Sequence, residues 1–269
     1  MILPVKNISV EDIRHIKGVF FDIDDTFSLS GKIHASAYSA LWDLKKAGLK
    51  AVPITGRPAG WCDHIARMWP VDGVVGENGA FYFRVDEEKG SFIKRFVDDE
   101  TVRAKKREDL RQIRDEVLQT VKGCALASDQ NYREADLAID FCEDVPRLPW
   151  TDVDRICDVF KKYGATCKIS SIHVNGWFGS YSKLQMTKQL ALELWGLDLE
   201  KEKHHFVYFG DSPNDEPMFQ YFPLSVGVRN VLAFTDRMTH LPAYVTEHEG
   251  GEGFAEAVGL LLEKRSLSR

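Results

Sequence analysis

The sequence has few cysteines, and their spacing excludes two common kinds of structural site. Its five cysteines are an odd number among 269 residues, and no two of them form a C-x-x-C pair. A disulfide framework needs an even set, and structural zinc sites usually take paired cysteines. We therefore expect reduced thiols, as in a cytoplasmic protein.

Long apolar runs are missing as well. No stretch approaches the roughly 18 consecutive apolar residues that identify a membrane span. Residues 1–17 include the charged side chains of Glu11, Asp12 and Arg14 and have no apolar core, so they do not resemble a signal peptide. We expect no membrane anchor and a cytoplasmic location.

The sequence also lacks an excess of positive charge. Its 35 Lys and Arg residues against 41 Asp and Glu residues give a net charge of −6 at pH 7. This balance argues against nucleic acid or an anionic membrane as a partner. The basic run at 103–107 is surrounded by acidic residues at helical spacing, which predicts an exposed helix face rather than a binding patch.

Strand and helix patterns alternate at both ends of the chain. Short apolar runs of strand type occur at 19–23, 49–54, 73–75, 205–209, 224–228 and 244–246. Helical patterns lie between or after them, at 35–47, 59–68, 214–221, 231–238 and from 250 onward. Such alternation predicts an α/β fold built on a doubly wound parallel sheet.

The middle of the chain has a different pattern. A hairpin-like stretch at 81–97 is followed by a long charged helix at 99–121. Two strands come next, at 137–141 and 166–174, with a helix between them at 152–163. This order predicts an α+β module inserted into the parallel sheet. We expect a cap domain at 84–177 and a discontinuous core at 1–83 and 178–269.

The most informative segment is 18–26, an apolar run followed by Asp22, Asp24, Asp25 and Thr26. Acidic residues at the end of a buried parallel strand face the crevice in which open α/β sheets bind ligands. Because neighbouring carboxylates repel each other, a cation would stabilise them. An aspartate beside a bound metal can also accept a phosphoryl group covalently. An ordinary Asp-rich turn is the alternative interpretation.

Two other strand ends supply matching groups. After the second strand, the hydroxyl of Thr55 and the backbone N–H groups beside Gly56 can hold phosphate oxygens. After a later strand, Asp211 and Asp215 add carboxylates, with Asn214 as a candidate helix N-cap. A site made only of oxygen ligands favours Mg²⁺.

A lysine is needed to balance the charge of a bound phosphate. Lys183 follows Ser182 at the expected start of a helix, where the chain re-enters the sheet, and Lys188 is the nearest alternative. Position alone does not distinguish either of them from an ordinary surface lysine.

The segments 22–26, 55–57 and 210–215, together with Lys183, resemble in order the four signatures of the haloacid dehalogenase superfamily phosphatases. The insertion between the threonine and lysine signatures resembles the type-two cap of subclass IIB, the Cof-type and sucrose-phosphatase-like group. The segment 77–80 is also similar to that subclass. The resemblance implies a Rossmann-like core with an inserted α+β cap domain.

The resemblance also implies a role for each matching residue. Asp22 is the implied nucleophile, which forms an aspartyl-phosphate, and Asp24 is the implied general acid and then general base. The implied phosphate-binding residues are Thr55, Gly56, Lys183 and Asn214, and the implied Mg²⁺ ligands are Asp22, the backbone carbonyl of Asp24, Asp211 and Asp215. Asp25 stands where many relatives have glycine and is expected to face away from the metal.

The cap is expected to choose the substrate, because it covers the leaving group and excludes water. The candidates for substrate contact are Arg57, Asn78, Arg133, His173 and Asn175. The segment 132–140 is faintly similar to sucrose- and mannosyl-phosphate-type phosphatases, which favours a sugar phosphate as substrate.

The resulting prediction is a Mg²⁺-dependent phosphomonoesterase that acts on a small phosphorylated metabolite, as a monomer or weak homodimer. A phosphotransferase or phosphomutase, similar to phosphomannomutases, would use the same intermediate and is the first alternative. A non-catalytic phospho-acceptor domain, like a response-regulator receiver, is disfavoured by the inserted module and by Asp24. A nucleotide-binding oxidoreductase is disfavoured because no G-x-G-x-x-G follows the first strand.

Overall fold

The computed structural model describes residues 2–267. Its strands, in chain order, are β1 (Leu3–Pro4), β2 (Gly18–Phe21), β3 (Ser28–Leu29), β4 (Lys32–Ile33), β5 (Lys50–Pro53), β6 (Val74–Gly76), β7 (Phe81–Asp86), β8 (Ser91–Phe96), β9 (Ala125–Leu126), β10 (Leu137–Asp140), β11 (Thr166–Ile169), β12 (His173–Trp177), β13 (Phe206–Gly210), β14 (Leu224–Gly227) and β15 (Tyr244–Val245).

The α-helices are α1 (Val10–Ile13), α2 (Ala35–Lys46), α3 (Ala59–Met68), α4 (Glu100–Thr120), α5 (Trp150–Lys162), α6 (Lys183–Trp195), α7 (Leu199–Glu202), α8 (Glu216–Tyr221) and α9 (Gly250–Ser266). Short 3₁₀ helices lie at Val5–Asn7, Glu77–Gly79, Gln130–Tyr132, Lys203–His205, Pro213–Asp215 and Arg229–Arg237. None of the helices between residues 2 and 267 is both long and apolar enough to cross a membrane.

The central sheet is parallel, with the strand order β1-β15-β14-β13-β2-β5. Strands β13 and β2 lie in the interior of the sheet, each between two neighbours, and are buried along their whole length. Because successive side chains of a strand point to opposite faces, Phe20 and Phe21 belong to two different cores. The predicted fold class, a doubly wound parallel sheet, is confirmed.

Helices cover both faces of this sheet. On one face, Leu41 and Leu44 of α2 and Phe254 of α9 pack against Phe21. On the other face, α6 and α8 contribute a second set of buried apolar side chains. Each fully buried leucine or phenylalanine stabilises the fold by roughly 1.5–3 kcal/mol relative to an exposed one. The two cores hold the centre of the sheet, and thus the ends of its strands, in place.

The inserted module has its own antiparallel sheet, with the order β11-β12-β10-β9. Helices α4 and α5 cover it, and they share with it a separate apolar core that includes Ile113, Ile139 and Phe160. The prediction of one strand at 166–174 was wrong, because the chain turns there. The hydroxyl of Ser170 accepts hydrogen bonds from the backbone N–H groups of Ile172 and His173, which closes the turn between β11 and β12.

The hairpin of β7 and β8 belongs to a different sheet from the rest of the insert. It pairs with β6, and β6 is joined to the end of β5 by a parallel bridge between Ile54 and Val75. A boundary at residue 84 would therefore cut through β7. We propose that the cap domain begins after Phe96 and ends at Trp177, where β12 ends.

Candidate active site

The ends of three neighbouring strands meet at one edge of the central sheet. The backbone N–H of Asp22 donates to the carbonyl of Phe209, and the N–H of Ile54 donates to the carbonyl of Phe21. These bonds place the residues that follow β2, β5 and β13 side by side. The carboxyl ends of parallel strands are the expected ligand site of such a sheet.

Lys183 occupies the centre of this edge. Its ammonium donates to Asp22 Oδ1 and to Asp215 Oδ1, each at 2.7 Å, and the side chain is only 5% exposed. Although burial acts to lower it, the carboxylates of Asp215 and Asp22 raise the pKa of Lys183 above its usual range. The alternative, Lys188, instead pairs with Glu200.

The backbone around Lys183 is tightly packed. Lys183 is the first residue of α6, whose N-cap is Ser182. Gly79 has a φ of +107°, and a Cβ on it would lie 2.1 Å from the carbonyl oxygen of Ser182. Only glycine permits this close approach, so the turn after β6 fixes the position of the lysine.

Three buried carboxylates form a cluster beside the lysine. Oxygen atoms of Asp22, Asp211 and Asp215 all lie within 4.8 Å of one another. Burial raises the pKa of Asp22 to about 8, with Asp215 and Asp24 adding to the rise and Lys183 opposing it. Burial, followed by the charges of Asp215 and Asp22, also raises the pKa of Asp211 well above its usual range.

The hydrogen bonds within the cluster are unequal. Asp215 is well supplied, because its Oδ1 accepts from Lys183 and from the hydroxyl of Tyr208, while its Oδ2 accepts from the N–H of Asp211. Oδ1 of Asp211 accepts from the hydroxyl of Thr26. Oδ2 of Asp211 is buried and has no hydrogen-bond partner in residues 2–267. An unpaired buried carboxylate oxygen next to two further carboxylates fits a hard divalent cation.

The predicted phosphate-binding residues surround the same place. Thr55 is buried, and its hydroxyl oxygen accepts from the N–H of Arg57. A Cβ on Gly56 would lie 3.2 Å from Nδ2 of Asn78, and that nitrogen has no partner among the described residues. Asn78, Lys183 and Asn214 line a cavity of about 180 Å³.

Asn214 has a different local role from the one expected. It lies inside the 3₁₀ turn Pro213–Asp215, and the N-cap of that turn is Ser212, which forms a capping box with Asp215. The prediction of Asn214 as the N-cap was therefore wrong. Its Oδ1 accepts from the hydroxyl of Ser212, which leaves the amide nitrogen to act as a donor.

The side chain of Asp24 lies outside the carboxylate cluster. It accepts two hydrogen bonds from Nε of Arg57 at 2.9 Å and one from Nη2 at 2.7 Å. Arg57 also reaches Asp129 and Glu143, which come from the cap. Its guanidinium stacks on Trp61 at 4.3 Å. Arg57 thus connects the core to the cap beside the loop that follows β2.

The remaining candidates for substrate contact are all buried in the cap, and each has a protein partner. Arg133 donates to the carbonyl of Gly56 and to Asp136 and Asp129. Asn175 donates to Asp136 as well. His173 Nε2 lies 2.9 Å from Glu143 Oε2, but without the geometry of a hydrogen bond, and it has no hydrogen-bond partner among the described residues. We propose that Arg133 holds the cap on the core and does not bind substrate.

Glu77 joins the two parts of the chain in a way that its sequence does not indicate. It is fully buried, and its carboxylate accepts hydrogen bonds from the backbone N–H groups of Ala59 in the core and of Glu134, Ala135 and Asp136 in the cap. Its positive φ of 42° is rare for glutamate. Because backbone angles cannot be read from a sequence, this feature could not have indicated the role of Glu77 in advance.

Glu143 and Asp129 were also missed. Both lie outside the strands and α-helices, where side-chain periodicity gives no signal. They approach the site only because the cap sits over the core.

The family model of haloacid dehalogenase-like hydrolases matches residues 19–135 and 147–258 of this chain. No curated protein matches the sequence at a significant level.

Solved structures with the same fold cover nearly the whole chain. A protein of Thermoplasma acidophilum is 20% identical, with a TM-score of 0.68 over 92% of this chain and 98% of its own. The sucrose-phosphatase of Synechocystis, solved with sucrose and phosphate, is 15% identical, with a TM-score of 0.62 over 91% and 98%. The C-terminal domain of the trehalose-6-phosphate phosphatase of C. albicans is 14% identical, with a TM-score of 0.72 over 97% and 98%.

These similarities confirm the predicted family and the prediction that the chain is a hydrolase. The family match covers well over half of the sequence, and this chain combines a parallel core with additional small sheets. The chain belongs to the haloacid dehalogenase-like hydrolase family.

Proposed function

We propose that this protein is a Mg²⁺-dependent phosphomonoesterase that hydrolyses a small phosphorylated metabolite, with a sugar phosphate as the substrate class. The observation that carries the proposal is the arrangement of Asp22, Lys183 and Asp211: a nucleophile, a cation in contact with it, and a carboxylate oxygen that lacks a partner among the described residues. Phosphoryl transfer depends mainly on positioning and charge neutralisation, and this arrangement supports both.

In the first step, an oxygen of the Asp22 carboxylate attacks phosphorus. The bond between phosphorus and the leaving oxygen breaks, its electron pair stays on that oxygen, and the proton of the Asp24 carboxyl group is transferred to it. In the second step, Asp24 takes a proton from water, the water oxygen bonds to phosphorus, and the bond between Asp22 and phosphorus breaks. Inorganic phosphate and the free carboxylate of Asp22 result.

Donors for the phosphoryl oxygens surround Asp22. Lys183 supplies a positive charge, while the hydroxyl of Thr55, the backbone next to Gly56 and the amide of Asn214 supply hydrogen bonds. Because these groups are buried in a preformed arrangement, little reorganisation is needed when charge develops. Their role is to orient the phosphoryl group towards Asp22.

The proposed Mg²⁺ ligands are the side chains of Asp22 and Asp211 and the backbone carbonyl of Asp24. Asp215 supports them through the N–H of Asp211 and through Lys183. When bound, the cation neutralises negative charge on the phosphoryl group and on the carboxylates.

A sugar phosphate is supported by two structural neighbours that are named as phosphatases of sugar phosphates and by the polar side chains of the cap near Asp24. A phosphomutase would use the same aspartyl-phosphate and would pass it to a second hydroxyl instead of water. Release of inorganic phosphate distinguishes the two activities.

The test is a phosphate-release assay with 4-nitrophenyl phosphate and a panel of hexose phosphates. We expect Mg²⁺-dependent release that EDTA abolishes and that Asp22→Asn lowers by at least about a thousandfold. The matched control is Asp25→Asn, the same change three residues further on, which should retain activity because the Asp25 side chain accepts the N–H of Ser30 in its own loop. Turnover that persists in EDTA or in Asp22→Asn would contradict the proposal.

A further inference from the structure

A loop of the cap carries an acidic side chain down to the core. The loop follows β10, and the buried carboxylate of Asp140 accepts hydrogen bonds from the backbone N–H groups of Cys142, Glu143 and Asp144 at 2.7–2.8 Å. Three such bonds fix the course of the chain at this point. The side chain of Glu143 thereby reaches Arg57.

Glu143 and Asp24 share one guanidinium. Nη2 of Arg57 donates to Glu143 Oε1 at 2.6 Å and to Asp24 Oδ1 at 2.7 Å. His173, on the neighbouring strand β12, lies on the opposite side of Glu143, with its Nε2 2.9 Å from Oε2. The four side chains form a continuous chain of contacts that runs from a cap strand, through the cap loop and Arg57, to the carboxyl group of Asp24.

The charges in this chain of contacts favour a fixed geometry. Although burial acts to raise it, the contact with His173 and the hydrogen bonds from Arg57 lower the pKa of Glu143 to about 2. Glu143 is therefore ionised throughout the neutral range. Arg57 is only 3% exposed, and the acids that face it are Asp24, Asp129 and Glu143. Removing the charge of Glu143 would leave Arg57 with two facing carboxylates, Asp24 and Asp129, instead of three.

We propose that Glu143 and His173 are positioning residues through which the cap, closed over the core, sets the orientation of the Asp24 carboxyl group by way of Arg57. The inference rests on the proposed function, since it assigns to the cap a part in the proton transfer by Asp24. Under this inference, proton transfer by Asp24 depends on Glu143, a cap residue that does not touch the phosphoryl group.

The leaving group provides a direct readout of this role. An alkoxide is a poor leaving group and needs a proton from Asp24, whereas 4-nitrophenolate leaves without one. Both esters share the second step, in which Asp24 acts as a base, so the two substrates are compared by kcat/KM, which reports the first step alone. A defect in the orientation of Asp24 therefore lowers kcat/KM for an alkyl phosphate and leaves kcat/KM for the aryl phosphate nearly unchanged. A defect in folding, in metal binding or in the nucleophile lowers both.

The experiment measures kcat and KM of wild type, Glu143→Gln and Arg57→Lys with glycerol phosphate and with 4-nitrophenyl phosphate. We expect each variant to lose at least about tenfold in kcat/KM on glycerol phosphate, a fraction of the 10²–10⁴ that general acid catalysis supplies, and less than about threefold in kcat/KM on the aryl ester. The double variant should lose no more than the worse single one, because both act on the same carboxyl group.

Two further variants serve as controls. Asp144→Asn removes a charge from the next residue of the same loop, whose side chain is exposed, and should leave both substrates unaffected. His173→Gln keeps a nitrogen donor near the position of Nε2 and should retain more of the alkyl activity than His173→Leu.

Equal losses of kcat/KM on both substrates in Glu143→Gln would overturn the inference and would leave the proposed phosphatase activity intact. A rise in KM for glycerol phosphate at unchanged kcat would also overturn it, by showing that Glu143 binds substrate instead. If wild type releases phosphate from neither ester, the proposed function fails, and the inference fails with it.

Discussion

Two aspartates separated by one residue have quite different surroundings. Asp22 is buried against Lys183, which suits a group that must attack phosphorus from a fixed position. Asp24 lies outside the carboxylate cluster and is held by Arg57, in contact with the cap. Although the two aspartates are neighbours in sequence, their different partners suit them to different roles, as is common for an acid and a nucleophile in one active site.

At the scale of single residues, Glu77 offers a test of how the cap is attached. In Glu77→Gln the amide nitrogen replaces one of two oxygens that both accept backbone N–H groups, so at least one buried donor loses its acceptor. We expect a loss of about 2 kcal/mol or more in the free energy of unfolding, measured by urea denaturation. Glu88→Gln, at an exposed position, should change this free energy by less than about 0.5 kcal/mol.

The residues of the site differ in how far the sequence could predict them. Asp22, Thr55 and Asp211 follow buried parallel strands, and such strand ends converge in any sheet of this kind. Glu143 lies in an irregular loop, so its approach to the core depends on how the cap docks. No local pattern encodes that docking.

At the scale of elements, the start of α6 is the most constrained point. Lys183 can reach Asp22 and Asp215 only because the turn Glu77–Gly79 packs directly against the first residues of the helix. A short 3₁₀ turn in one half of the core therefore positions a helix that begins after the whole cap.

Substitution of Gly79 by alanine tests this packing. The new Cβ would overlap the carbonyl of Ser182, and the backbone there has a positive φ. We expect a destabilisation of about 3 kcal/mol or more and a large loss of phosphate release, because Lys183 must shift. Gly90→Ala also lies at a positive φ, +61°, but with open space around it, and it should cost only about 1–2 kcal/mol. Equal effects of the two variants on unfolding would contradict the packing argument.

Elements in the core were easier to predict than those near turns. The strand ranges 19–23 and 205–209 were confirmed to within a few residues, since continuous apolar runs there are buried on both faces. The range 214–221 is a 3₁₀ turn followed by a short helix, and prolines at 213 and 217 remove two N–H donors there. The turn in 166–174 depends on one serine hydroxyl, which periodicity cannot detect.

At the scale of the whole molecule, the buried carboxylates oppose folding when no cation is present. The pKa of Asp22 is raised from 3.8 to about 8, so between these values the folded state binds more protons than the unfolded state. Stability is therefore greatest below pH 3.8 as far as this group is concerned, and it falls as the pH rises towards 8. A bound cation that prefers the ionised form should oppose this fall.

Thermal unfolding in EDTA and in Mg²⁺ tests this dependence. In EDTA, Tm should decrease from pH 5 to pH 8 more steeply for wild type than for Asp22→Asn, because the variant lacks the titrating group. At pH 8, Mg²⁺ at about 100 times its Kd should stabilise wild type by about 2.7 kcal/mol, and this gain should vanish in Asp211→Ala. A Tm that Mg²⁺ does not change in wild type would argue against a metal at this cluster.

The insertion of the cap between the two halves of the core has a consequence for the folding of the nascent chain. The hydrogen bond between Thr26 and Asp211 joins residues 185 positions apart, and the central strands β2 and β13 pair over a similar separation. Contacts so distant in sequence form slowly, because a long loop must close first. During synthesis, β2 in the first half of the core therefore remains without its partner strand β13. The catalytic centre can assemble only after Asp215 has left the ribosome.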